Sequence, residues 1–154
     1  MRRPKYTEEL LKTIFLWLGV GFIVMGLLSF IGILEPTAYS WVQEPNIMGM
    51  IFLIWGVAFF IVQTILGVIA SSKDKLHNEL LVSGTQISGT VEKVYLQIST
   101  RYAGEYPYRI IYTYTCQGKT YHQKSALIWD KPDCMENDTI IVYVNDSGKS
   151  TIQI

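Results

Sequence analysis

The sequence predicts a membrane α-helical hairpin of two transmembrane helices, followed by a small all-β antiparallel barrel or sandwich of five to six strands. Three observations lead to this fold class: two long uncharged apolar segments, a sharp fall in hydropathy after residue 70, and short alternating segments in the second half. Only 17% of the 154 residues are charged, against 49% that are hydrophobic. A wholly soluble protein is therefore not expected.

The first apolar segment, residues 13–34, is predicted to be a transmembrane helix. It contains 22 consecutive uncharged residues between Lys12 and Glu35. As a helix it would be about 33 Å long, which matches a hydrocarbon core of roughly 30 Å. A secretory signal has a similar basic start, but this apolar run is too long for one and no small-x-small cleavage motif follows it. We expect the segment to stay in the protein.

The second apolar segment, residues 47–70, is predicted to be the other transmembrane helix. It lies within 28 uncharged residues between Glu44 and Lys73. Neither segment has the polar stripe of a helix packed on a soluble core. Neither contains an ionisable residue, which argues against an ion transporter or proton pump.

The distribution of basic residues predicts the orientation of the hairpin. The loop at 35–46 has two glutamates and no lysine or arginine, whereas the flanking segments are basic. The sequence thus predicts a multi-pass protein of the bacterial inner membrane, with a cytoplasmic basic tail at 1–12, an external loop and both termini in the cytoplasm. The flanking basic residues are Arg2, Arg3, Lys5, Lys12, Lys73 and Lys75. Residues suited to an interfacial turn are Pro36, Tyr39, Trp41 and Pro45.

Small residues on the predicted helices indicate where the helices could pack closely. On the second helix four positions fall within about 40° of one another at the helical period. On the first helix there are two glycine lines, nearly opposite each other. One line could serve the hairpin partner and the other a second copy of the chain, although glycine is simply common in membrane helices. The predicted packing positions are Gly49, Gly56, Gln63 and Gly67, with Gly19 and Gly26 on one line of the first helix and Gly21 and Gly32 on the other.

After a linker at 71–78, the β domain is predicted to occupy residues 79–154. Segments rich in β-branched and aromatic residues alternate with turn signals. Gln117-Gly118 predicts a two-residue hairpin turn that sets Tyr114 opposite Tyr121, and residues 146–148 predict a second hairpin. Residues 79–84 could be a first strand or the end of the second helix. The predicted strands are 89–98, 106–116, 119–128, 138–145 and 150–154.

The central predicted strand carries tyrosines on one face, at every second position. For Tyr112 and Tyr114 we favour a core position with hydroxyls at the rim, and Tyr106 and Tyr108 could equally belong to a recognition surface. The loop at 99–107 is the best candidate for contact with a partner. The predicted binding residues are Arg101, Tyr102, Glu105, Tyr106, Tyr108 and Arg109.

The sequence contains no recognisable catalytic or metal-binding motif. Its soft ligands, which are His77, His122, Cys116 and Cys134, lack zinc spacing, and a Cys134–His122 pair has no local signature. We therefore predict no enzyme, no metal and no cofactor. The formal net charge is zero, so a nucleic-acid partner is not expected.

The order of motifs in the second half resembles a known bacterial family. Gly84 and Gly89-x-Val91 precede a long strand, followed by alternation that ends in Tyr114. Gly118-Lys119-x-Tyr121, then Ile140-x-Val142-Tyr143-Val144, and Ser150-x-Ile152 complete the order. This order is similar to the family called domain of unknown function 3592, whose members join a β domain to one or more membrane helices. The resemblance implies fold and location, and no activity.

Two classes of function are compatible with the sequence. The first is a non-enzymatic, membrane-anchored protein-binding module, of which an immunity or exclusion protein is a specific version. The second is a ligand-gated membrane effector, in which the β domain senses a small cytosolic signal and the helices assemble to disrupt the membrane. In the second case Arg101 and Arg109 would clamp a phosphate. The predicted partners are the lipid bilayer, a protein and other copies of the chain.

Overall fold

The structure, a computed structural model, describes residues 3–36 and 42–153 and contains two compact units. One unit is residues 8–70, which form a helical hairpin. The other unit joins the N-terminal residues 3–7 to residues 71–153 and contains the β-sheet. The predicted interfacial residues Tyr39 and Trp41 lie outside the described part of the chain.

Two long helices, α1 (Thr7–Phe30) and α2 (Pro45–Ser83), are each long and apolar enough to cross a membrane. The helix α1 ends four residues before the predicted limit, because Gly32 adopts a φ of 74° and terminates it. The amide of Gly32 donates to the Ser29 carbonyl at 3.2 Å, and that of Ile33 donates to the Leu28 carbonyl at 3.0 Å. Gly32 is thus a helix terminator rather than a member of a packing line.

The helix α2 continues for 13 residues beyond the predicted span, from 71 to 83. The predicted linker at 71–78 is therefore helical, and residues 79–83 end this helix rather than form a strand. This α2 tail (residues 71–83) has charged residues on its exposed side, while Leu80 is only 2% exposed. It ends where the Gly84 amide donates to the Leu80 carbonyl at 2.9 Å. An amphipathic segment of this kind is stabilised by the surface it covers.

The β domain is a single antiparallel sheet of five strands in the order β3-β2-β1-β4-β5. It curls into a half-barrel rather than a closed barrel or a sandwich. A bulge between Val91 and Lys93 interrupts the register of β1 with β2, and bulges of this kind bend a strand. The strands are β1 (Thr85–Leu96), β2 (Tyr108–Cys116), β3 (Lys119–Lys124), β4 (Thr139–Val144) and β5 (Ser150–Ile152).

Both predicted hairpin turns are confirmed. Gln117 and Gly118 have φ values of 50° and 74°, the left-handed pair that a tight two-residue turn requires. The register sets Tyr114 opposite Tyr121, as predicted. In the second hairpin, which joins β4 to β5, Gly148 has a φ of 74°.

The core lies on the concave face of the sheet, and the tyrosines of β2 extend from it to the far edge. The hydroxyl of Tyr112 lies 3.1 Å from Ser150 Oγ of β5, and that of Tyr114 donates to the Gly148 carbonyl at 2.7 Å. Strands β2 and β5 are separated in the sheet by β1 and β4, so these bonds bridge the open side of the half-barrel. The expectation of core tyrosines with hydroxyls at the rim is confirmed for both. The fully buried core consists of Val91, Ile110, Tyr112, Tyr114, Val142, Val144 and Ile152.

Candidate functional site

The contact loop (residues 99–107) contains a small hairpin of its own. Tyr102 and Glu105 exchange two backbone hydrogen bonds, each of 3.0 Å, around Ala103 and Gly104, which both have positive φ. The Arg101 guanidinium lies 5.5 Å from the centre of the Tyr106 ring, and its Nε donates to the Gly104 carbonyl at 3.4 Å. These bonds hold the loop in one conformation while Arg101 stays exposed.

Two of the predicted binding residues in this loop already contact other parts of the same unit. Glu105 forms an ion pair of 3.1 Å with Arg3, which also pairs with Asp130 at 3.3 Å. The ring of Tyr102 packs edge-on against Trp129, with centroids 5.8 Å apart. A partner that used Glu105 would compete with Arg3, which leaves Arg101 as the more accessible charge of the loop.

Arg109 does not face solvent beside Arg101 as a phosphate clamp would require. Its Nη2 donates to Thr7 Oγ1 at 3.0 Å, its Nη1 reaches the Ser125 carbonyl at 3.5 Å, and its Nε is buried without a hydrogen-bond partner among the described residues. Tyr108, next to it, is half-buried and pairs through its backbone with Ile128. Arg109 thus anchors the N-terminal residues to the sheet.

The N-terminal strap (residues 3–7) is the main feature that the sequence did not predict. The Leu127 amide donates to the Lys5 carbonyl at 2.9 Å, and the Trp129 indole donates to the Pro4 carbonyl at 2.7 Å. Lys5 also forms an ion pair of 3.3 Å with Asp74 of the α2 tail. Of the predicted basic tail at 1–12, residues 3–7 are therefore docked on the β domain, where Arg3 and Lys5 pair with acidic residues of the same unit, and residues 7–12 are the first turns of α1.

A cavity of about 260 Å³ lies between the α2 tail and the open side of the half-barrel. His77 of the α2 tail crosses this region, with Nδ1 2.6 Å from Thr151 Oγ1 of β5. Burial is the main cause that lowers the pKa of His77, the charge of Lys5 lowers it further, and Asp74 acts in the opposite direction. The lining residues are Tyr6, Lys73, Leu76, His77, Leu80, Tyr112, Gln123, Lys124, Ser125, Ala126, Lys149, Ser150, Thr151 and Ile152.

The remaining soft ligands are dispersed. Cys116 and Cys134 are free and half-buried, and burial raises the pKa of the Cys134 thiol. His122 is exposed, with Nδ1 2.8 Å from Glu92 Oε1. Within residues 3–36 and 42–153, no group of three or more His, Cys, Asp or Glu side chains lies close enough to hold a metal ion.

Four of the glycines predicted for helix packing, Gly19, Gly26, Gly49 and Gly56, lie where α1 and α2 are in close contact. A β-carbon built on Gly56 would lie 2.6 Å from the Ile23 side chain and 3.3 Å from the Gly19 carbonyl. One built on Gly49 would lie 3.1 Å from the Gly26 carbonyl. Gly67 lies beside the methylenes of Lys12, Gln63 is half-buried, and Gly21 has nothing within 4 Å of such an atom.

Comparison with models of protein families, with curated proteins and with solved structures yields no match to this chain. The resemblance to domain of unknown function 3592 stays a prediction from motif order.

Proposed function

We propose that this chain is a non-enzymatic binding module anchored in the bacterial inner membrane by α1 and α2. The hairpin unit exposes large apolar side chains on its outer surface: Trp17 is 70% exposed, Ile54 is 67% exposed and Val68 is 62% exposed. The core helices of a soluble protein bury such side chains, whereas a bilayer would cover them. In α1 the buried residues are instead small ones, Gly19, Gly26 and Ser29, as close helix packing requires.

The observation that carries the proposal is the docked strap. Residues 3–7 lead into the first apolar segment, the α2 tail follows the second one, and both belong to the β unit. If the helices cross a bilayer, both ends of the hairpin must therefore lie on the same side of the membrane. A chain that crosses the membrane twice meets this requirement. The basic residues that flank these ends favour the cytoplasmic side.

The side of the membrane is tested with reporters on the intact chain. We expect green fluorescent protein fused after Ile154 to fluoresce, and alkaline phosphatase fused there to be inactive. Alkaline phosphatase inserted after Glu44, in the predicted external loop, should be active. Active phosphatase after Ile154 would contradict the proposed orientation and would place Cys116 and Cys134 in an oxidising compartment.

A protein is the partner that the contact loop supports best. The loop is held by its own hydrogen bonds, so little conformational entropy is lost when a partner binds. It presents the exposed Arg101, and Ile98, the residue just before the loop, is 76% exposed. An apolar side chain next to a charged one is a common arrangement at protein interfaces. We propose that this surface binds a membrane protein, as an immunity or exclusion protein would.

The partner surface is tested by charge reversal at Arg101. Glu105 is unsuitable, because its reversal would also break the ion pair with Arg3. We expect the wild-type chain to protect cells against a toxin encoded beside it, and Arg101→Glu to lose that protection while the protein still accumulates. The matched control is Lys119→Glu, at an exposed position beside the β2–β3 turn, which should still protect. Equal protection by both variants would contradict a role for the contact loop.

The cavity against the α2 tail favours a second candidate, the ligand-gated effector. The α2 tail is continuous with the second apolar segment, so a ligand that shifts the tail would act directly on that helix. On this hypothesis overexpression arrests growth. Gly49→Val and Gly56→Val would relieve the arrest by disturbing the helix crossing, and Gly21→Val would not. Harmless overexpression would exclude this candidate and leave the first one untouched.

A further inference from the structure

We propose that the cavity between the α2 tail and the half-barrel binds a small molecule through a phosphate group. This inference names a ligand class for the second candidate function. The binding that it describes does not depend on the effect on the membrane. Binding is therefore measured separately from growth arrest, and either can fail without the other.

The charge around the cavity carries the inference. Three lysines from three different elements line it: Lys73 of the α2 tail, Lys124 of β3 and Lys149 beside β5. Among the described residues that line the cavity there is no aspartate or glutamate. Lysine ammonium groups that line one cavity give it a positive potential that favours a multiply charged oxyanion, and Asp74, the acidic residue next to Lys73, is paired with Lys5 at 3.3 Å.

Hydrogen-bonding groups lie in the same cavity as these charges. Ser150 and Thr151, which carry hydroxyls, line it, whereas the hydroxyl of the buried Ser125 already donates to the Ala126 carbonyl at 2.8 Å. The hydroxyl of Tyr112 shares a hydrogen bond with Ser150, and either oxygen can act as the donor. Phosphate has several acceptor oxygens, so it can accept hydrogen bonds from hydroxyls and lysines together.

The floor of the cavity is apolar, which argues for more than inorganic phosphate. Leu80, Tyr112 and Ile152 are buried there, and Leu76 lines the same wall. A second cavity of about 330 Å³ adjoins the first and shares His77, Thr151 and Ile152 with it. The geometry thus fits a phosphate monoester whose apolar or aromatic body rests on the floor while its phosphate meets the lysines.

The phosphate could belong to a soluble metabolite or to a lipid headgroup. Lys73 is only three residues beyond Ala70, the last residue of the second apolar segment, so an anionic headgroup could reach it. Both sources share the same chemistry and differ only in where the phosphate resides.

The test uses the full chain in phosphatidylcholine nanodiscs. Exposed lysines are acetylated with a limiting reagent, and each site is quantified by mass spectrometry. The first arm adds adenosine 5′-monophosphate, with adenosine as the uncharged control. The second arm replaces part of the phosphatidylcholine with phosphatidylglycerol. Lys131 and Lys119, which are exposed and do not line the cavity, are the internal references.

We expect acetylation of Lys124 and Lys149 to fall at least threefold relative to the references. Protection by adenosine 5′-monophosphate and not by adenosine assigns a soluble phosphate, whereas protection by phosphatidylglycerol alone assigns a headgroup. Lys73 should be protected as well, and Lys124→Gln combined with Lys149→Gln should abolish that protection, whereas Lys119→Gln should not. Unchanged acetylation in both arms, or equal protection by adenosine, would overturn the proposal.

Discussion

The two units of this chain are stabilised by opposite means. In the hairpin unit many large side chains are exposed, and small residues lie where the helices cross, so that a β-carbon built on Gly56 would be 3.3 Å from the Gly19 carbonyl. In the β unit the large side chains are buried, and Tyr112 and Tyr114 bridge the open side of the sheet. The stability of the hairpin depends on close packing of the two helices and on the medium around them. The stability of the β unit depends on its own packed core.

Aromatic side chains show the same difference. In the hairpin Phe22 lies against Phe52 and Phe59 at 5.8 and 5.2 Å between ring centroids, and these rings are only half-buried. In the β unit Tyr114 stacks on Tyr121 at 5.3 Å, and its hydroxyl is bonded to the second hairpin turn. Mutations should therefore act through cavities in the β unit and through steric overlap in the hairpin.

The largest effect is expected for truncation of the β core. Ile110 is fully buried, so Ile110→Ala should lower the free energy of unfolding by about 3 kcal/mol through lost burial and a residual cavity. The matched control is Ile141→Ala on β4, where the side chain is 57% exposed and the loss should be about 0.5 kcal/mol or less. The measurement is urea denaturation of the full chain in micelles, followed by tyrosine fluorescence. Equal losses in the two variants would contradict the assignment of the concave face as the core.

A smaller effect is expected where the helices cross. Gly56→Val would push a side chain into Ile23, and we expect the hairpin to lose about 1–3 kcal/mol of stability. Gly21→Val adds the same side chain to the same hairpin at a position with nothing within 4 Å. Helicity followed during titration with sodium dodecyl sulfate should separate the two. If Gly21→Val were the more damaging variant, the glycine lines would have been assigned to the wrong faces.

The sequence predicted the features that arise from local patterns. Each apolar segment is uniformly hydrophobic, which predicts a helix from local sequence alone. The Gln117-Gly118 turn sets the register of its hairpin, so the cross-strand pairing of Tyr114 with Tyr121 could be predicted. The sequence did not distinguish the α2 tail from a linker. Its charged residues obscure the amphipathic pattern, and the sheet against which its apolar face packs lies later in the chain. The cavity lysines could not be predicted for the same reason. Lys73 and Lys149 are far apart in the sequence, and they line the same cavity only in the folded unit.

The strap was the least predictable element. Residues 3–7 have no periodicity, and their hydrogen bonds reach residues far away in the sequence, from Asp74 to Arg109 and Trp129. From the sequence, the basic side chains of this segment predict only the orientation of the hairpin. In the structure Arg3 also forms ion pairs with two carboxylates. The segment that predicts orientation in the sequence thus also takes part in the packing of the β unit.

The smallest of the three effects is expected from loosening this strap. Trp129→Phe keeps the ring against Tyr102 and removes the indole N–H that donates to the Pro4 carbonyl at 2.7 Å. Loss of one such hydrogen bond costs about 1 kcal/mol, which corresponds to roughly a fivefold rise in local opening. The Leu127 amide, bonded to the Lys5 carbonyl, should then exchange hydrogen for deuterium about fivefold faster.

Trp17→Phe provides the matched control for Trp129→Phe, because it makes the same change at an exposed position of the hairpin unit. It should leave exchange at Leu127 as it is in the wild-type chain. Amides of the β core, such as that of Tyr112, should stay protected from exchange in both variants. The strands pair with one another through backbone hydrogen bonds that do not involve the strap. Faster exchange across the whole sheet in Trp129→Phe would mean that the strap is part of the core. No change at Leu127 would mean that the strap is held by Arg3 and Arg109, independently of the indole.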